Sequence, residues 1–149
     1  MRHPNVHLAL ELDLRSGLPE LLRGEITVDE AVQPTSIEGL FAITGGACDY
    51  VSITALSKPE TARIFKELRG AFDQVVIDAG PVLAFADVLL LGQLSDAAIM
   101  VTMRDVSRLP LVTKAVDRLQ SVGIRVIGTV VNGVTDTSPR QLYASPSPA

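Results

Sequence analysis

Aromatic residues and cysteines are scarce in this 149-residue chain. Trp is absent, Phe and Tyr together make up 4% of the residues, and Cys48 is the single cysteine. One cysteine excludes an internal disulfide and a zinc site built from cysteines. The core must therefore consist of Val, Leu, Ile and Ala, an aliphatic composition typical of parallel sheets that are buried on both faces.

Basic clusters and long apolar runs are lacking as well. The formal net charge is −4, no block of Lys or Arg occurs, and too few aromatics are present to stack bases, so nucleic-acid binding is disfavoured. The longest apolar run, residues 82–91, is too short to span a bilayer and is interrupted by Asp87. His3 and His7 flank Pro4, which disfavours the helix that would place them on one face, and no metal cluster is predicted.

From residue 39 onward, strand-like and helix-like segments alternate. Apolar runs predict strands over residues 39–44, 73–78, 97–102 and 125–132, and amphipathic patterns predict helices over residues 59–70, 83–93 and 109–122. In the last helix the predicted apolar face comprises Leu111, Val112, Ala115, Val116 and Leu119. Such alternation indicates right-handed βαβ units and an α/β fold with a parallel sheet flanked by helices.

The two ends of the chain differ from this pattern. Residues 1–38 contain short helical pieces, near residues 18–23 and 28–32, and the segment 135–149 is rich in Ser, Pro and Thr. We therefore predict one domain over residues 1–134 and a disordered tail over residues 135–149.

Polar residues end three of the predicted strands, where ligands bind in open parallel sheets. Asp78 ends an apolar strand, as in a Walker B motif that positions Mg²⁺, or it starts the turn at Gly80. Asn132 offers a donor and an acceptor that suit an adenine edge, or it is a turn residue before Gly133. Arg104 and Asp105 pair with each other or cap a helix as readily as they contact a ligand.

A second acidic residue and a missing loop complete the candidate site. Asp87 stabilises a helix N-terminus, which is the favoured interpretation, faces a partner, or reaches the metal region. A P-loop requires Gly-x-x-x-x-Gly-Lys-Ser/Thr, but none of the three lysines (Lys58, Lys66 and Lys114) follows a glycine. The pair Gly45-Gly46 lacks both the lysine and the hydroxyl, so it cannot replace that loop.

Four segments of the chain together match the motifs of one family. Residues 1–7, MRHPNVH, are similar to the end of a Walker A′ segment, and residues 17–24, GLPELLRG, to Gly-Leu-Ser-x-x-Leu-x-Gly. Residues 72–83, FDQVVIDAGPVL, are similar to Phe-Asp-x-Val-Ile-Ile-Asp-Thr-Pro-Pro-Val-Leu, and residues 128–132, GTVVN, to Gly-Val-Val-Leu-Asn. In this order and spacing, residues 1–134 resemble the cytoplasmic kinase domain of the bacterial tyrosine kinases of capsule and exopolysaccharide biosynthesis, relatives of the Min/Par ATPases.

The resemblance implies a P-loop NTPase fold that lacks its first strand and P-loop, with ATP and Mg²⁺ as cofactors of the intact domain. It places Arg2, Asp78 and Asn132 at the nucleotide site, with Asp78 holding Mg²⁺ through a water, and it implies Tyr143 as a possible phospho-acceptor. The catalytic aspartates of the family precede the first matched residue, so no catalytic residue is assigned. The chain then begins partway through the Walker A′ motif, which predicts a fragment or a misplaced start codon.

The implied function is that of a fragment of an ATP-dependent protein-tyrosine kinase in exopolysaccharide or capsule biosynthesis, inactive alone. The resemblance further implies a membrane activator or chain-length regulator as partner, homo-oligomers, and a cytoplasmic location at the inner face of the membrane. Two alternatives stay open. One is a Min/Par-type ATPase switch, and the other is a degenerate, non-catalytic domain that binds a partner through the sheet edge left by the lost strand.

Overall fold

A computed structural model describes residues 6–13, 16–46 and 50–134. The described helices are α1 (Val6–Ala9), α2 (Leu18–Arg23), α3 (Val28–Ala31), α4 (Tyr50–Ala55), α5 (Pro59–Ala71), α6 (Asp87–Gln93) and α7 (Leu109–Ser121). The described strands are β1 (Gln33–Pro34), β2 (Phe41–Ala42), β3 (Ala98–Met103) and β4 (Val126–Asn132). The predicted tail, residues 135–149, lies outside the described residues, so its disorder stays a prediction.

The parallel sheet is built from β3 and β4. The two strands pair in register from Ile99 opposite Gly128 to Met103 opposite Asn132, and α7 connects them, so they form the expected βαβ unit. Ala98 and Arg104 donate their main-chain N–H groups toward the β4 side. Because peptide groups alternate in direction along a strand, those of Ile99 and Val101 point to the opposite edge, where no described strand pairs with β3.

The predicted strand over residues 39–44 is mostly wrong. It is reduced to β2, which pairs antiparallel with β1 rather than joining the parallel sheet. Pro34 lies in β1 and has no N–H to donate, so a longer ladder at this position would lose a hydrogen bond.

The predicted strand over residues 73–78 is wrong as well. Residues 74–81 run without helix, turn or bend, and the described chain shows no hydrogen bond to the main-chain groups of residues 74–80. A strand exists only with a neighbour that pairs with it, and none of the described strands pairs with this segment. Val76 is consequently 90% exposed.

The helix predictions agree with the structure more closely than these two strand predictions do. Both α5 and α7 lie within one residue of the predicted ends, whereas α6 begins at Asp87 rather than at residue 83. Residues 82–84 form a turn instead, closed by the Ala84 N–H donating to the Pro81 carbonyl at 3.0 Å. Leu111 was assigned to the buried face of α7 but is 52% exposed, while Ala115 and Leu119 are buried.

Hydrogen bonds at the start of α3 fix its position in the chain. The Glu30 carboxylate accepts from the N–H and the hydroxyl of Thr27 at 2.8 and 2.9 Å, and the Thr27 hydroxyl accepts from the Glu30 N–H. The main-chain bond and then the hydroxyl bond lower the pKa of Glu30. This capping box satisfies helix N–H groups that would otherwise lack a partner.

Three apolar clusters form the core. One lies between α2, α4, α5 and α6 and contains Leu22, Ala55, Leu56, Phe65 and Leu91. A second joins α2, α3 and α5, and the third places Met100 of β3 against Ala115 and Leu119 of α7. The opposite face of β3 exposes Ile99 and Val101, each by more than half of its surface.

Within the described ranges, no helix is both long enough and apolar enough to cross a membrane.

Candidate functional site

A groove of about 390 Å³ lies between β2 and the segment that follows α5. Residues 39–43 line one side, and residues 74–78 line the other. Phe65, Leu68 and Leu91 of the neighbouring helices also line it, so the surface of the groove is largely apolar. The candidate Walker B segment therefore forms one side of the groove instead of lying inside a sheet.

Asp78 lies at the point where the groove meets a second, smaller cavity. The smaller cavity has a volume of about 30 Å³, the size of one water or one ion, and Asp78, Gly80, Phe85 and Asp87 line it. Asp78 itself is exposed. Two carboxylates nine residues apart in sequence thus lie along the same cavity.

Asp87 is the first residue of α6, and its residue surface is 7% exposed. Its Oδ1 atom is buried and has no hydrogen-bond partner in the described part of the chain. Leaving a buried acceptor unpaired costs about 1–3 kcal/mol. Asp87 therefore starts the helix and also lines the cavity of Asp78, while its contact with a metal ion stays a prediction.

The donor set fits a hard divalent cation better than it fits a nucleotide. Carboxylate oxygens are the ligands that Mg²⁺ prefers, and the unpaired Asp87 oxygen is available for this role. Neither the groove nor the small cavity has a Lys or Arg among the described residues that line it. A triphosphate would therefore find no cationic cradle at this position.

Asn132 and its neighbours form a separate group at the end of the parallel pair. The Arg104 N–H donates to the Asn132 carbonyl at 2.8 Å, and the Arg104 Nε atom lies 3.4 Å from the Asp105 carboxylate. The mutual pairing of Arg104 and Asp105 is thus observed. Asn132 lines neither cavity, so the described residues do not bring it together with Asp78, and its adenine contact stays a prediction.

Two of the predicted site residues cannot be placed. Arg2 and Tyr143 lie outside the described residues, so their roles stay predictions.

A cluster of polar side chains around Arg23 was not predicted from the sequence. Arg23 donates to Glu20 at 2.9 Å, to Glu25 at 2.6 Å and to Ser52 at 2.9 Å, and Ser52 is fully buried. Thr44, 2% exposed, receives the Leu18 N–H on its carbonyl. One residue of the GLPELLRG motif could have indicated the packing at Thr44. Gly17 has no side chain, so the start of α2 can approach Thr44 closely.

Several known proteins are similar to this chain over most of its length. No family model matches the chain. The tyrosine-protein kinase YwqD of Bacillus subtilis is 28% identical over 133 residues, which is 89% of this chain and 56% of that protein. The tyrosine-protein kinase ptk of Acinetobacter johnsonii is 25% identical over 138 residues, which is 93% of this chain and 19% of that protein.

This chain is a homologue of the bacterial tyrosine kinases. The kinase domain of VpsO agrees with this, since its crystal structure superposes with a TM-score of 0.81 at 27% identity, over 89% of this chain and 66% of that one. The α/β fold expected from the sequence is thereby confirmed. The chain spans about one fifth of ptk and little more than half of YwqD.

Proposed function

We propose that this chain is the magnesium-holding part of an ATP-dependent protein-tyrosine kinase domain that works in exopolysaccharide or capsule biosynthesis. One observation carries the proposal: Asp78 lines the same small cavity as Asp87, whose buried Oδ1 atom has no hydrogen-bond partner among the described residues. The homology to tyrosine kinases supports this function over a Min/Par-type switch.

The two carboxylates have different roles in this proposal because their surroundings differ. Asp78 is exposed and can hold a hydrated ion through a water, whereas Asp87 is buried and offers a fixed oxygen. Asp78 and Asp87 would hold Mg²⁺, which would supply charge neutralisation for the phosphate oxygens of a nucleotide. The proposal includes a membrane activator, homo-oligomers and a location at the cytoplasmic face of the membrane, all of which rest on the family resemblance.

We expect the chain to bind Mn²⁺, a paramagnetic substitute for Mg²⁺, at this cavity. Asp78→Asn and Asp87→Asn should each weaken the binding roughly tenfold, because each removes one anionic oxygen ligand. Asp117→Asn changes an exposed carboxylate of α7 that lines neither cavity, and it serves as the matched control. The measurement is Mn²⁺-induced broadening of amide NMR signals. Broadening centred away from residues 78–87, or equal in all variants, would contradict the site.

We further expect the purified 149-residue chain to show no ATPase and no tyrosine-kinase activity. The reason is the absent Gly-Lys-Ser/Thr loop, since positioning and charge neutralisation of the phosphates account for most of the catalysis of phosphoryl transfer. The measurement is release of phosphate from ATP in the presence of Mg²⁺, together with transfer to a poly(Glu,Tyr) substrate. Phosphate release that Asp78→Ala abolishes would show that the chain is active by itself.

A further inference from the structure

We propose that the surface formed by residues 104–111 and one side of α7 binds directly to an anionic lipid bilayer. This inference does not rest on the proposed kinase function, because it requires neither nucleotide nor metal. It rests on the distribution of charge along the chain, on a line of cations along α7, and on exposed aliphatic side chains at the start of that helix.

Charge is distributed unevenly along the chain. Residues 98–132, which run from the start of β3 to the end of β4, contain five Lys or Arg and two Asp, a net charge of +3. The whole chain carries −4, so the remainder carries −7. Such an asymmetry indicates an anionic partner for the basic part, because the acidic remainder is repelled by the same partner and orients the approach.

One side of α7 carries two of these cations. Leu111, Lys114 and Arg118 are three and four residues apart, so they lie along one side of the helix. All three are exposed, and neither cation forms an ion pair within the described ranges. The buried residues of the helix, Ala115 and Leu119, lie on a different side. The exposed leucine therefore belongs to a cationic surface and not to the core.

Aliphatic side chains also project from the turn that precedes α7. Val106 is 72% exposed and Leu109 is 75% exposed. Arg108 lies between them in the sequence, is exposed, and has no ion pair in the described part of the chain. The Ser107 hydroxyl accepts the Met103 N–H at 2.9 Å, and the Ser107 N–H donates to the Met103 carbonyl at 2.9 Å. These bonds hold the turn, so apolar side chains and a cation are presented together.

A lipid surface fits these features better than a nucleic acid or an acidic protein segment. Residues 98–132 contain no Phe, Tyr or Trp, so they offer no ring on which a base could stack. An acidic segment would pair with the cations but leave Val106 and Leu109 in water. An anionic bilayer supplies headgroup charge for the cations and hydrocarbon for the aliphatic side chains, as it does for helices that lie in the membrane interface.

The test measures cosedimentation of the 149-residue chain with vesicles of phosphatidylcholine that contain phosphatidylglycerol. We expect binding that saturates with lipid on these anionic vesicles and no binding to vesicles of pure phosphatidylcholine. Raising the salt concentration from about 0.1 to 1 M should release the chain, because the screening length falls from about 10 to 3 Å.

Three variants with the same change of charge locate the binding surface. Lys114→Gln and Arg118→Gln should each weaken vesicle binding about fivefold, the contribution of one cation near such a membrane. Lys66→Gln removes an exposed cation of α5 and is the matched control, so it should bind as the unchanged chain does. Circular dichroism checks that all three variants are folded.

Insertion of the aliphatic side chains is measured with a tryptophan, since the chain contains none. The fluorescence of Val106→Trp should shift to shorter wavelength on anionic vesicles, because the indole ring moves from water into the membrane interface. Lys66→Trp places the same ring on an exposed part of α5, and its emission should not change.

Several results would overturn the proposal. They are absence of binding to anionic vesicles, equal binding to neutral vesicles, and equal losses in Lys66→Gln and Lys114→Gln. Binding to polyglutamate but not to vesicles would instead assign the surface to an acidic protein. Because no nucleotide or metal is present, failure here is distinct from failure of the magnesium site.

Discussion

The Phe65→Ala variant is expected to lose about 3–5 kcal/mol of unfolding free energy. Phe65 is 5% exposed and lies in the cluster that also contains Leu22, Ala55, Leu56 and Leu91. These residues come from or adjoin four helices, so the ring fills space that no single neighbour can occupy after truncation. Domains of this size are stable by about 5–15 kcal/mol, so the loss is a large share of the total.

Urea unfolding followed by far-ultraviolet circular dichroism measures this loss. Phe41→Ala is the matched control, because it removes the same side chain from a residue that is 48% exposed and contacts Phe72 at a ring-centroid distance of 5.5 Å. We expect the control to cost clearly less than Phe65→Ala. Equal losses would mean that the cluster around Phe65 is not the main core of the helical part.

The sequence predicted the segments whose partners are close in the chain. The helices α5 and α7 are amphipathic over 13 residues each, with proline in the first turn, and these are local signals. β3 and β4 were predicted within one residue at either end, because α7 alone separates them and brings each strand its partner.

Residues 73–78 illustrate what the sequence could not predict. Their apolar run, DQVVID, has the composition of a buried strand, yet strand formation depends on a neighbour that the local pattern cannot reveal. In the described chain no such neighbour lies beside them, and Val76 remains 90% exposed. Local composition and tertiary context conflict at this segment, and such conflicts concentrate at functional sites.

The candidate site, too, was predictable from the sequence only where its residues follow a local pattern. Asp78 was found by pattern alone, since an apolar run that ends in Asp is a local feature. Asp87 lines the same cavity, and one of its carboxylate oxygens has no partner among the described residues. Its position there depends on the turn at residues 82–84, which lies between the two aspartates. Asn132 was found by the same kind of pattern, but its position relative to Asp78 depends on a sheet that is not continuous in the described residues.

Close backbone packing at Gly17 stabilises the contact between the start of α2 and Thr44. A Cβ atom at Gly17 would overlap the Thr44 carbonyl and lie 2.6 Å from the Thr44 Oγ1 atom. Thr44 cannot move away easily, because it is buried, its carbonyl accepts the Leu18 N–H at 2.9 Å, and its hydroxyl donates to the Ser16 carbonyl at 3.2 Å. Gly17 is held as well, since its own N–H donates to Glu20 at 2.9 Å.

We therefore expect Gly17→Ala to lower the unfolding free energy by about 1–3 kcal/mol, the usual cost of overpacking. Gly70→Ala is the matched control, because a Cβ atom there would meet no heavy atom within 4 Å and the residue lies inside α5. It should raise the unfolding free energy by about 0.5–1 kcal/mol, since alanine favours a helix interior over glycine. The same substitution thus has opposite signs at two glycines, and urea midpoints at unchanged m-values measure both. A stability gain at Gly17 would mean that α2 and Thr44 do not pack as closely as their hydrogen bond indicates.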